Sequence, residues 1–210
     1  MSRLVLVRHG ETIWHADNRY AGRSDVELTP RGLDQARDLA KWAATAGLSA
    51  VWSSPLSRAR LTAQPAAEAA QVPLHIDEYL IEVDFGAGEG LTGQEMHERF
   101  PQARAAFLED PVRNPLPGSE NPAEAARRGA QALQNIASIS GEARVLVVAH
   151  NTLLRLVLCE LLQIPLSRYR ETFPELANGA LTELRISGGS TSLLSLNLPL
   201  SGTNHGNNYK

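Results

Sequence analysis

Five polar residues of this chain are of types that can act together on a phosphoryl group: Arg8, His9, Arg58, Glu82 and His150. The guanidinium fork matches phosphate oxygens in shape and charge, so two arginines beside two histidines favour a dianion. A neutral imidazole is a nucleophile. Cations close to it disfavour its protonation, so Arg8 and Arg58 would keep a lone pair on His9 available at neutral pH. A leaving alkoxide needs a proton, and Glu82 is the carboxylate placed to give one. The chain has neither a G-x-x-x-x-G-K loop nor an Asp-rich or Cys/His run with metal spacing. Charge stabilisation is therefore expected from side chains, without a metal or other cofactor.

Those residues need elements that bring them together. Leu4-Val5-Leu6-Val7 reads as a strand buried on both faces, and it stops at Arg8-His9-Gly10, where glycine permits a sharp turn. Val145-Leu146-Val147-Val148-Ala149 is a second such strand, and it too ends in a histidine. If the two strands are neighbours, His9 and His150 face one crevice at the carboxyl end of a sheet, where open α/β folds bind ligands. The helix after His150 would aim backbone N–H groups at the same spot. Its residues Leu153, Leu154, Val157, Leu158, Leu161 and Leu162 form an apolar stripe of helical period.

Between these landmarks the punctuation is regular. Thr29-Pro30 reads as an N-cap followed by a first-turn proline, with Leu33, Ala36, Ala40 and Ala43 on the inner face and Gly47 at the close. Ala50–Ser53 is a short strand, and Ser54-Pro55 predicts another capped helix carrying Arg58. Leu74–Ile76 suggests a third strand. Residues 84–122, rich in Gly and Pro with helical stretches around 95–100 and 103–108, read as an excursion over one end of the sheet. A helix from about Pro122 to Ile139 follows. Strands at 180–186 and 192–196 flank Gly188-Gly189, and 201–210 reads as a frayed tail. Alternating strands and helices predict an α/β fold, a sandwich with a mostly parallel sheet, as a single domain over residues 1–200.

The bulk properties narrow the function. A chain of 210 residues fits one domain with a substantial core, and a net charge of −3 gives no support for nucleic-acid or anionic-membrane partners. A single cysteine, Cys159, excludes an internal disulfide and suits a reducing compartment. No apolar run approaches the ~20 residues of a membrane span, so a cytoplasmic protein is expected.

The ordered set of motifs resembles the histidine phosphatase superfamily, which includes cofactor-dependent phosphoglycerate mutases. It comprises Leu6-Val7-Arg8-His9-Gly10-Glu11-Thr12, Asn18-Arg19-Tyr20-Ala21-Gly22, Leu28-Thr29-Pro30-Arg31-Gly32 and Ser54-Pro55-Leu56-Ser57-Arg58-Ala59. Glu82-Val83-Asp84-Phe85-Gly86, Pro117-Gly118-Ser119-Glu120 and Val147-Val148-Ala149-His150 complete it. The resemblance implies a three-layer α/β/α sandwich in which 84–122 shapes the substrate pocket. It implies His9 as the phosphorylated nucleophile, Arg8, Arg58 and His150 as the phosphate pocket, and Glu82 as proton donor. It places Thr12 and Gly22 close to the phosphate. Two positions depart from the family pattern: His15 stands where many members have Asn, and Asn151 where a small Gly is usual. Mutases of the group also tend to carry a cation after the catalytic Glu, whereas here Val83-Asp84-Phe85-Gly86 has none.

The expected activity is a metal-independent phosphomonoesterase of the histidine acid phosphatase type, acting on small phosphorylated metabolites; a homodimer is compatible with it. A phosphoglycerate mutase is the rival within the family, and a non-catalytic phospho-ligand binding protein the rival outside it. Plainer roles suit other residues. Arg60 competes with Arg58, Glu11 could serve as a structural partner for an arginine, and His75 and His97 lack catalytic context. Cys159 fits apolar packing, and Glu89 and Glu120 fit capping or solvation as readily as substrate contact.

Overall fold

The computed structural model describes residues 1–200; the sequence-predicted frayed tail lies outside the described residues. Strand β1 (Ser2–Arg8) pairs in parallel with β4 (Arg144–Ala149), Arg8 opposite Ala149. The two histidine-terminated strands are thus neighbours at the middle of a six-stranded sheet. With β2 (Leu48–Ser53), β3 (Leu74–Ile76), β5 (Leu181–Ser187) and β6 (Ser190–Leu198), its order is β3-β2-β4-β1-β5-β6. The first four strands are parallel; β5 runs antiparallel to β1, and β6 to β5.

The period of two along β1 and β4 divides the core. Val5, Val7, Leu146 and Val148 face α1 (Pro30–Ala43) and α2 (Ser57–Ala70). Leu4, Leu6, Val145 and Val147 face α5 (Pro122–Ser140) and α6 (Asn151–Leu161). The result is the expected three-layer α/β/α sandwich. The chain leaves β1 toward one face and β4 toward the other, so their carboxyl ends flank a topological switch point, where a crevice opens.

Several local expectations need correction. Leu33 is 43% exposed, and the buried face of α1 runs through Gly32, Gln35, Ala36, Leu39 and Ala43. Helix α2 begins at Ser57 with Leu56 at its N-cap, not at Ser54. Ser54 is turned inward, with its Oγ 2.7 Å from His150 Nε2. Helix α6 is buried all round from Leu153 to Cys159, because α5 and the segment with α7 (Tyr169–Thr172) cover the face that a stripe would leave to water. The 84–122 excursion, with α3 (Gly93–Arg99) and α4 (Pro101–Glu109), adds Leu91, Met96, Phe107 and Leu116 to the core. Burying one such side chain stabilises by about 1.5–3 kcal/mol.

Candidate active site

A cleft of about 330 Å³ opens at the carboxyl ends of β1 and β4. Arg8, His9, Thr12, His15, Gly22, Arg58, Glu82 and Asn151 all line it. His150 does not. It is fully buried behind His9, the two rings 5.1 Å apart.

His9 follows the last residue of β1, its N–H donating to Ala149 O and its carbonyl accepting from Asn178 Nδ2 at 2.7 Å. Gly10 is required by crowding: a Cβ there would lie 2.5 Å from the Gly32 carbonyl oxygen. The turn therefore needs glycine for close approach and not for a positive φ. His9 Nδ1 lies 2.7 Å from Gly10 O. A carbonyl only accepts, so the proton is assigned to Nδ1 and the lone pair to Nε2. Burial holds the imidazole neutral, well below its usual range, and the charges of Arg58 and Arg8 push the same way.

Arg58, 1% exposed on the first turn of α2, donates from Nε to His9 Nε2 at 3.3 Å. Its other nitrogens donate to Ser24 O at 2.7 Å and Gly22 O at 2.6 Å. Gly22, at φ +48°, is itself held against Glu89, whose Oε1 would be 1.8 Å from an added Cβ. Glu89 accepts the N–H groups of Arg23 and Ser24. Glu89 thus clamps the loop that aims Arg58, a role its sequence position did not disclose. Arg60 is exposed, which leaves Arg58 as the arginine of the site.

Arg8 donates to Leu176 O at 2.9 Å and to His15 Nε2 at 2.7 Å, and burial lowers its pKa to about 10. An arginine always donates, so His15 faces it as a neutral acceptor. Burial, with Arg8 second, lowers the His15 pKa to about 4. Thr12 closes the other side of the ring, its Oγ1 2.8 Å from His15 Nδ1.

Glu82 accepts three backbone N–H groups: Oε1 from Val83 (2.9 Å) and Leu153 (2.8 Å), Oε2 from Thr152 (3.1 Å). This corrects an expectation: the first N–H groups of α6 hold Glu82, not the ligand. Oε2, with a single such bond, is the oxygen with a lone pair to spare for a proton. The backbone before it is tied down by Arg128, which donates to Tyr79 O, Ile81 O and Glu82 O and pairs with Glu120.

Ser54 Oγ accepts the Leu56 N–H at 3.3 Å, so its proton is free to go to His150 Nε2. His150 then carries its own proton on Nδ1. Among the described residues that atom has no partner and is buried, as are Arg8 Nε and Asn151 Oδ1. Burial, with Arg58 next, keeps His150 neutral, well below the usual imidazole range.

Sequence reasoning missed Arg155, Tyr169 and Arg170 in the cleft wall. Arg155 had left a signal, a lone cation inside the apolar pattern of α6, four residues after Asn151. Cys159 is fully buried and its thiol pushed up to about 11 by burial, in keeping with packing. His75 stacks on Trp52 away from the cleft, ring centroids 4.6 Å apart. Among the described residues no group of three or more His, Cys, Asp or Glu side chains is gathered to hold a metal ion, and no helix is long and apolar enough to cross a membrane.

Residues 4–199 match the family model of the histidine phosphatase superfamily (branch 1). Phosphoserine phosphatase 1 of Hydrogenobacter thermophilus is 33% identical over 169 residues, 80% of each chain. A probable phosphoglycerate mutase of Erwinia tasmaniensis is 31% identical over 170 residues, 81% of this chain and 79% of its own. The solved structure of Bacillus stearothermophilus YhfR superposes with a TM-score of 0.89 at 27% identity, covering 95% of this chain and 98% of its own.

Proposed function

This chain belongs to the histidine phosphatase superfamily, and from that premise we propose that it is a metal-independent phosphomonoesterase acting on small phosphate esters through a phosphohistidine on His9. The observation that carries the reading is the state of His9: buried, neutral, with Nδ1 tied to Gly10 O and Nε2 toward Arg58 in the cleft. Arg8 and Arg58 take the non-bridging oxygens of the incoming phosphoryl group. His9 Nε2 attacks phosphorus, the bond to the ester oxygen breaks, and Glu82 Oε2 gives its proton to that oxygen. Water then attacks the phosphohistidine. One of its protons returns to Glu82, phosphate leaves and His9 is restored.

The buried donors without protein partners acquire a purpose in this scheme. Arg8 Nε–H, in the cleft wall, would be satisfied by a phosphoryl oxygen, and His150 Nδ1–H would reach one only if the phosphoryl group enters as far as the ring behind His9. Thr12 and Asn151 line the same space. His15 acts through Arg8 and Gly22 through Arg58, as positioning residues. A mutase would follow the same first step but return the phosphoryl group to a retained product. The segment directly after Glu82, Val83-Asp84-Phe85-Gly86, carries no cation of its own, and its Asp84 pairs with Arg23.

The test is to quench turnover of an aryl phosphate and recover acid-labile, base-stable phosphate on the protein. His9→Ala should abolish both that adduct and the release of phosphate, while EDTA leaves wild-type turnover intact. A His9→Ala protein working at near wild-type rate, or activity lost in EDTA and restored by Mg²⁺ or Zn²⁺, would overturn the reading. An isomerised ester in place of free phosphate would make the protein a mutase.

A further inference from the structure

Arg155 sits on α6 two residues past Leu153, and Thr152 and Leu153 are the residues whose N–H groups hold Glu82. A proton donor marks where the leaving alcohol must lie, so Arg155 flanks the alcohol side of the cleft. Its side chain is 8% exposed and its Nε is buried without a partner. The guanidinium lies over the Tyr169 ring, 4.9 Å from the centroid, and makes no hydrogen bond or ion pair among the described residues. Next to it Arg170 lies over Phe107 (4.7 Å) and Tyr169 (5.6 Å), its Nε donating to Tyr169 Oη at 3.1 Å. It too has no ion pair among the described residues. Both arginines line the cleft.

Removing a guanidinium from water without an anion is costly, and buried charges in folded proteins are normally paired. Burial lowers the pKa of Arg155 and the charge of Arg170 adds to that, while Tyr169 and the Glu82 carboxylate offset part of it. Two unpaired cations side by side, in the wall next to the proton donor, call for a negative group that arrives with the substrate. We propose that Arg155 and Arg170 form a second anion subsite, which selects phosphate esters whose alcohol part carries a carboxylate. The Arg155 stem and Nε are enclosed and the Arg170 Nε is committed to Tyr169, so the terminal nitrogens are what remain to bind. A planar two-oxygen group fits such forks. This subsite rests on the phosphomonoesterase reading above.

The experiment compares kcat/KM for the phosphate ester of 3-hydroxypropionate, its neutral amide and the bisphosphate of 1,3-propanediol. The wild type should favour the carboxylate over the amide by about 10- to 100-fold, the range expected for one charged hydrogen-bonded pair. In Arg155→Met and, independently, Arg170→Met that ratio should fall by about the same range, mostly through KM. Arg170 is the less buried of the two, so its variant keeps the test alive if Arg155→Met does not fold. Equal turnover of carboxylate and amide by the wild type, or equal losses on both in the variants, overturns the subsite while leaving the phosphatase reading intact. Preference for the bisphosphate overturns the carboxylate assignment. Hydrolysis of none of the three esters, nor of an aryl phosphate, overturns the phosphatase reading and the subsite with it.

Discussion

The two ends of the cleft hold their charged groups in different ways. At the phosphoryl end main chain pins Arg58 through the carbonyls of Gly22 and Ser24, Arg8 through Leu176 O, His9 through Gly10 O, and Glu82 through the N–H groups of Val83, Thr152 and Leu153. At the alcohol end the arginines rest on rings: Arg155 on Tyr169, and Arg170 on Phe107 and Tyr169. A main-chain hydrogen bond tolerates little change in distance or angle, whereas a cation over a ring can slide at small cost. Chemistry needs reacting atoms aligned within a few tenths of an ångström, but recognition of the alcohol does not. Under the proposed reaction, the groups that would change bonds are those tied to main chain, and the groups that would meet the alcohol are those resting on rings.

The contrast can be broken from its rigid end. After His9 itself, the largest effect is expected at Glu82. A general acid contributes about 10²- to 10⁴-fold, and an alkyl phosphate depends on it far more than an aryl ester with a good leaving group. Glu82→Gln should thus slow phosphorylation of His9 by an alkyl ester within that range and by the aryl ester much less. Trapping of the phosphoenzyme or burst kinetics isolates this first step from the second, in which the same carboxylate would serve as base under the proposed reaction. Equal losses on both esters would mean that Glu82 positions without donating, and His150 would become the next candidate.

A smaller effect is expected one layer out. Arg128 touches the Tyr79, Ile81 and Glu82 carbonyls, so Arg128→Met should loosen the delivery of Glu82. Misplacing a catalytic group lowers kcat by about 10- to 100-fold, with KM for the aryl ester nearly unchanged. The lost rate should be concentrated on poor leaving groups, which a general loss of stability would not do. An unchanged leaving-group dependence would refute this role.

The mildest prediction concerns pH. His15 titrates near the usual imidazole value of about 6.5 when unfolded and at about 4 when folded. Between those values the unfolded chain binds more protons, so stability falls as pH drops. Wild-type Tm should decline from about pH 6.5 to about pH 4, below which His15 itself adds no further loss. In His15→Asn the decline should be shallower, with His9 and His150 supplying what remains. An identical Tm–pH curve for the two proteins would show that the burial of His15 beside Arg8 carries no linkage.

Much of the phosphoryl end was legible from sequence. Apolar runs of four or five residues have only one comfortable place, a strand covered on both faces. Hence β1 and β4, and the two histidines at their ends, followed from Leu4–Val7 and Val145–Ala149 alone. Thr29-Pro30 likewise announced its helix, because an N-cap side chain and a first-turn proline act locally. Ser54-Pro55 misled for the opposite reason: the Ser54 hydroxyl had a better partner in His150, 96 residues away.

What tertiary structure alone decided is the set of partners drawn from distant parts of the chain. That the start of α6 would spend its N–H groups on Glu82 depends on residues 70 and 71 positions apart. That Gly22 would steer Arg58 depends on a loop closed by Glu89. Arg155, a lone charge in an apolar helix, became a wall of the cleft only because Tyr169 and Arg170 folded over it. Local patterns report which groups prefer burial or a cap. Which distant group then lies within hydrogen-bonding reach is set by the packing of helices on the sheet, and no spacing within one segment encodes it.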